Sequence, residues 1–109
     1  MSDQRAFGGV GNRLVYENDR VRVWELRLEP GEASPVHKHD LDHVLIQIAG
    51  DKIALAPEPD TASRYKDYME ADVLPGEVAF VRRGGVEVAH NIGKSAYREI
   101  IVELKDASK

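Results

Sequence analysis

His37, His39 and His43 fall within one eight-residue segment, VHKHDLDH, of a chain that carries 4 histidines in all. On an extended strand, side chains an even number of residues apart share a face, so these three imidazoles are expected to converge. A neutral imidazole offers one ring nitrogen to a metal ion and keeps a hydrogen on the other for a nearby acceptor. Asp40, Asp42 and Gln47 are the candidate acceptors; Gln47 shares the parity of His43, while simple solubilising charge is the plainer reading of both aspartates. The chain has 0 cysteines, so a metal site must use nitrogen and oxygen ligands. Fe, Mn, Ni, Cu or Zn would each suit such a set. The plainer alternative is a polar strand end whose histidines merely titrate near neutral pH.

Glycines frame the segment. Gly31, His37, His39, His43 and Gly50 stand at the intervals G-x5-H-x-H-x3-E-x6-G, which resembles the first motif of the cupin superfamily (RmlC-like cupins), with His43 where that family usually has glutamate. Gly76, Arg82, Gly84, Glu87 and Asn91 match the spacing of its second motif, G-x5-P-x-G-x2-H-x3-N, with Arg82 replacing the proline and Glu87 the histidine. Glutamate and histidine have traded places between the motifs. The resemblance implies an all-β fold, a single cupin-type β-barrel of the double-stranded β-helix or jelly-roll kind.

It also implies which residues hold the metal. Glu87 shares parity with Ala89 and Asn91, the face that would line the barrel, and so joins His37, His39 and His43 as a ligand to one divalent transition metal ion. His90 is the alternative fourth ligand and would need a bulge to turn inward. Gln47 is placed to orient a ligand or touch substrate. A small metal-binding cupin of this kind is expected to act on a small organic molecule, as a metal-dependent, dioxygenase-like oxidoreductase. The alternatives are a non-catalytic small-molecule binding or sensor cupin, and a sugar isomerase or epimerase in which Arg22, Arg27 or Arg98 would line a phosphate pocket.

The elements that must carry these residues read as short strands between turn signals. Residues 21–28, 43–48, 52–56, 77–81, 86–89 and 97–104 are rich in alternating β-branched residues. Pro30-Gly31, Gly50-Asp51, Pro75-Gly76 and Gly84-Gly85 punctuate them, and Gly31, Gly50, Gly76 and Gly84 are expected to supply turn conformations that a β-carbon resists. The first strand changes apolar parity between Val23 and Trp24, which predicts a bulge or bend there. Ser63 to Met69 reads as a short helix or a β-excursion, with Tyr65 and Tyr68 as packing residues.

One domain accounts for 109 residues at 42% hydrophobic content. Residues 1–12 are expected to form a flexible arm, 13–105 the barrel and 106–109 a tail. The 15 basic and 19 acidic residues give a net charge of −4 with no basic stripe, so nucleic acid is not expected as a partner. The most apolar stretch, Val44 to Ala49, is interrupted by Gln47 and too short to span a bilayer, no targeting segment is visible, and a cytoplasmic location is expected. If His43, Leu45 and Gln47 face a cavity, then Val44, Ile46 and Ile48 face outward and need a cover, which predicts a homodimer.

Overall fold

Two Pro-Gly corners set the ends of the strands. Glu32 N bonds Glu29 O at 2.9 Å across Pro30-Gly31, and Glu77 N bonds Leu74 O at 2.9 Å across Pro75-Gly76. Gly31 and Gly76 have φ of 85° and 90°, as the third position of a type II turn requires. Gly50 and Gly84 also have positive φ, so all four glycines serve as the spacing predicts.

The structure is a computed structural model that describes residues 7–105, and among these residues every regular element is a strand. In chain order they are β1 (Arg13–Glu17), β2 (Val21–Leu28), β3 (His37–Lys38), β4 (His43–Ala49), β5 (Lys52–Pro57), β6 (Met69–Asp72), β7 (Val78–Val81), β8 (Val86–Asn91) and β9 (Tyr97–Leu104). They form two sheets, one ordered β1-β2-β9-β4-β7 and the other β3-β8-β5-β6. Every named pairing is antiparallel.

Alternation along β9 explains the layers. Tyr97, Glu99, Ile101 and Glu103 are buried and Arg98, Ile100, Val102 and Leu104 are only partly so, giving one face to the interior and one to the outside. Leu26, Leu28, Ala89, Tyr97 and Ile101 form the core, with Trp24, Leu45, Ile53 and Leu55 packed on it. Asn91 ties the two sheets together. Fully buried at 0% exposure, its side-chain amide donates to Leu28 O and Ser95 O at 2.9 Å each, and its oxygen accepts from Gly93 N at 2.9 Å.

The irregularity expected at Val23 and Trp24 falls on the β1 side of β2, not on the β9 side. The β2–β9 ladder runs unbroken from Val21 opposite Leu104 to Leu28 opposite Tyr97. The parity change arises because both faces of β2 carry apolar residues: Trp24 and Leu26 point inward, while Val21 and Val23 join an apolar outer face. The β1–β2 ladder shifts register at this same point, with Leu14 opposite Trp24 and Tyr16 opposite Val23, and β4 shifts against β9 between Gln47 and Ala49. Residues 63–68 form no helix, and Tyr65 and Tyr68 are exposed rather than packed.

Residues 1–6 and 106–109 lie outside the described residues, so the expected tail and the first half of the expected arm fall there. Residues 7–12 pack against the barrel rather than standing free. Gly8 bridges His37, Val10 is buried in the core, and Asn12 N bonds Glu25 O at 2.9 Å.

Candidate metal centre

The three histidines converge, but not along one strand. His37 opens β3 in one sheet and His43 opens β4 in the other, so the chain crosses between sheets over residues 39–42. Parity therefore relates His37 to His39 alone. His39 is fixed just past β3 by two backbone bonds, His39 N to Gly85 O and Gly84 N to His39 O, each 2.8 Å.

Glu87 meets them from β8. It stands directly opposite His37 in the β3–β8 ladder. Its Oε2 lies 3.3 Å from His39 Nε2 and 3.7 Å from His37 Nε2. One donor atom from each of His37, His39 and Glu87 fits within a 4.8 Å group. Donors bound about 2 Å from a common ion lie roughly 3–4 Å apart, so the two measured separations fit a shared metal. The tautomer fits as well: His37 Nδ1 is within 3.2 Å of Pro35 O, where it donates its hydrogen and leaves Nε2 free to ligate. His39 Nδ1 is buried without a hydrogen-bond partner. Burial alone would raise the Glu87 carboxyl, but the imidazoles of His37 and His39 outweigh it and bring the pKa down to about 2. The carboxylate is thus ionised and ready to bind a cation.

His43 stands beside this group, not within it. Its ring stacks on His39 with centroids 4.0 Å apart and planes 13° from parallel, and its Nδ1 donates to Leu41 O at 2.9 Å. Burial first, and then His39, lowers its pKa, so the ring stays neutral. His90 faces away from the site, with Nε2 3.2 Å from Gly31 O, and the parity of β8 holds.

Backbone carbonyls of Pro35 and Leu41, rather than the side chains singled out above, hold the histidine rings. Asp42 accepts from Arg83 instead. Gln47 lines the cavity, where its side-chain oxygen accepts from Leu74 N at 3.0 Å. The arginines considered for a phosphate pocket all pair elsewhere: Arg22 with Glu103, Arg27 with Glu29 and Arg98 with Glu25.

Behind these candidate ligands lies a cavity of about 170 Å³ whose wall includes Leu26, Leu45, Ile53, Leu55, Met69 and Ile101. His37, His39 and Glu87 supply one polar region of that wall, and Gln47, Tyr97 and Glu99 supply another. The last two were not singled out from sequence. A glutamate at an inward position of the alternating strand 97–104 was the readable signal.

Comparison with solved structures bears on the fold. The chain aligns with a cupin domain from Bordetella pertussis at a TM-score of 0.70 and 20% identity, covering 90% of this chain and 99% of that one. It aligns with an RmlC-like cupin family protein with a double-stranded β-helix fold from Methanocaldococcus jannaschii at a TM-score of 0.68 and 18% identity, covering 96% and 87%. The fold is that of the cupins. A further similar cupin-fold structure is the polyketide cyclase RemF from Streptomyces resistomycificus, at a TM-score of 0.56 and 20% identity over 80% of this chain and 56% of that one. No family model and no curated protein sequence matches the chain. On this cupin barrel, the interior positions of the two motifs carry His37, His39, His43 and Glu87. Among the described residues no helix is long and apolar enough to cross a membrane.

Proposed function

We propose that this cupin holds one divalent transition metal ion at His37, His39 and Glu87, with His43 beside them, and acts as a metal-dependent, dioxygenase-like oxidoreductase on a small organic molecule. The observation that carries this reading is the single carboxylate oxygen of Glu87 set 3.3 Å and 3.7 Å from two imidazole Nε2 atoms at the wall of an apolar cavity. Two histidines and one carboxylate with open positions form the donor set of many non-haem iron oxygenases. When bound, the ion would supply Lewis acidity and a template for an enol, diol or carboxylate substrate.

The chain's own residues do the rest. Pro35 O fixes the His37 ring, and the bonds from Gly84 and Gly85 fix His39, so neither donor must be ordered when the ion arrives. Glu87 brings the negative charge. Leu45, Ile53, Leu55 and Ile101 exclude water from the space where a substrate would sit.

Sugar isomerisation or epimerisation through a phosphate is disfavoured, because among the described residues no lysine or arginine lines this cavity. A non-catalytic binding module remains the rival reading. Metal analysis of protein purified without added metal, followed by oxygen uptake with small catechols, enols and diketones, tests the proposal. A stoichiometric redox-active metal with substrate-dependent uptake supports it. Tight ligand binding with no turnover would favour the binding module.

A further inference from the structure

The cavity has a second polar pole, built on the opposite sheet from Glu87. Glu99 of β9 is 9% exposed and lines the cavity together with Gln47 and Tyr97. Tyr97 Oη donates to Glu99 Oε2 at 2.8 Å. Gln47 is the direct neighbour of Glu99 on β4, and Leu26 is its neighbour on β2.

Among the described residues no lysine or arginine lines the cavity beside this carboxyl. The titratable groups that share the interior with it are His37 on β3, His39 just past it, Glu87 on β8, His43 on β4, Tyr97 and Glu103 on β9 itself, and Arg22 on β2, which is paired with Glu103 at 2.7 Å. β2, β5 and β6 present only apolar side chains to the cavity. A buried carboxylate without a countercharge is costly, and the group responds by keeping its proton. Burial, helped by the charge of Glu87 and opposed by Tyr97 and His37, pushes its pKa up to about 7.

Tyr97 has committed its hydrogen to Oε2, which leaves the carboxyl proton on Oε1 for something else. The space is about 170 Å³. An apolar cavity of about 150 Å³ accommodates benzene, so a single substituted ring sets the scale of the ligand.

We propose that Glu99, braced by Tyr97, recognises the cavity's ligand by donating its carboxyl proton in a hydrogen bond to a carbonyl or hydroxyl oxygen of a small, ring-sized, otherwise apolar molecule. The proposal rests on the metal-centre reading only for which end of that molecule faces His37 and His39.

Acetophenone and ethylbenzene are matched probes, alike in shape and different in the carbonyl. Each is titrated calorimetrically into the full chain at pH about 5.5 and about 8.5, either side of the raised pKa. Acetophenone is expected to bind about 3- to 10-fold tighter than ethylbenzene at the lower pH, the contribution of one neutral hydrogen bond. That preference should vanish at the higher pH. Glu99→Gln, whose amide still donates, should keep the preference at both pH values, and Glu99→Leu should abolish it.

Equal affinities in the wild type at the lower pH, no binding of either probe, or a preference that survives in Glu99→Leu would overturn the proposal. If Glu99→Leu does not fold, the loss of pH dependence in Glu99→Gln decides. Metal content is measured on the same samples. Metal-free protein that still discriminates the probes upholds this inference while sinking the metal centre, and metal-loaded protein that does not discriminate sinks this inference alone.

Discussion

His37 and Glu87 are direct cross-strand partners in the β3–β8 ladder, and their side chains meet with Nε2 and Oε2 3.7 Å apart. The pairing turns a question of ligand identity into one of register. A slip of one residue would set Val86 or Val88 opposite His37 and carry the carboxylate to the outer face. Four backbone contacts guard against that slip: the Gly8–His37 bridge, Ser34 N to Ala89 O, His39 N to Gly85 O and Gly84 N to His39 O. Because β3 has only two residues, these contacts outside the strand do most of the positioning.

Removing a donor should empty the site. His39→Gln and His37→Gln are each expected to lower metal affinity by more than the roughly 10- to 100-fold that loss of a supporting group costs. His43→Gln should cost less, since His43 stacks on His39 from outside the 4.8 Å group. Bound metal should also fall as pH drops through and below about 6.5, where protons compete for imidazole nitrogens. Equilibrium dialysis with metal analysis checks all four statements, and release independent of pH would contradict histidine ligation.

Glu99 should make the fold less stable as pH rises. Its carboxyl titrates at about 7 in the folded chain against an ordinary 4.5, so between those values the folded state holds more protons than the unfolded state. The stabilising contribution is complete below 4.5 and is lost as pH climbs to about 7. Glu99→Gln lacks this term. The variant should therefore gain stability relative to wild type by about 3 kcal/mol between pH about 4.5 and 8, as urea unfolding would show. A pH-independent difference would contradict the raised pKa.

The outer face of the five-stranded sheet should pair two copies. Val44 lies beside Phe80 and Val102, and Ile46 beside Val78 and Ile100, so one apolar row crosses three strands. Val78 and Phe80 are each 59% exposed, on an edge strand. An uncovered apolar face of this kind calls for a partner, and a second copy of the same face is self-complementary. Light scattering is expected to report a dimer at micromolar concentration and a monomer for Phe80→Asp with unchanged circular dichroism. A wild-type monomer would contradict the pairing.

Asn91→Ala should cost roughly 3 kcal/mol of stability, because it leaves Leu28 O, Ser95 O and Gly93 N without their buried partner. Denaturant unfolding measures it directly. A loss below about 1 kcal/mol would show that water replaces the side chain.

Much of this was legible in the chain itself. Spacing between Gly31 and Gly50 and between Gly76 and Asn91 was enough to anticipate the fold, and parity along residues 86–91 separated Glu87 from His90. What parity could not see was distance in space. His43 matches His37 and His39 in number yet sits on the other sheet, because the chain leaves β3 after Lys38. Strands β1 and β6 were not anticipated, because their burial does not alternate, and β3 was not expected to end as a separate strand of two residues. Val10 escaped notice because one valine among glycines shows no periodicity, and only the packed structure reveals that it is buried and lines the cavity.

The metal centre is tested most directly by metal analysis of Glu87→Gln and His90→Gln side by side, each checked for folding by circular dichroism. Glu87 reaches both histidines, whereas His90, three residues on, bonds Gly31 O on the outside. The expected result is a marked loss of bound metal in Glu87→Gln, whose neutral amide is a poorer ligand, and wild-type content in His90→Gln. Loss in His90→Gln with full retention in Glu87→Gln would contradict the site.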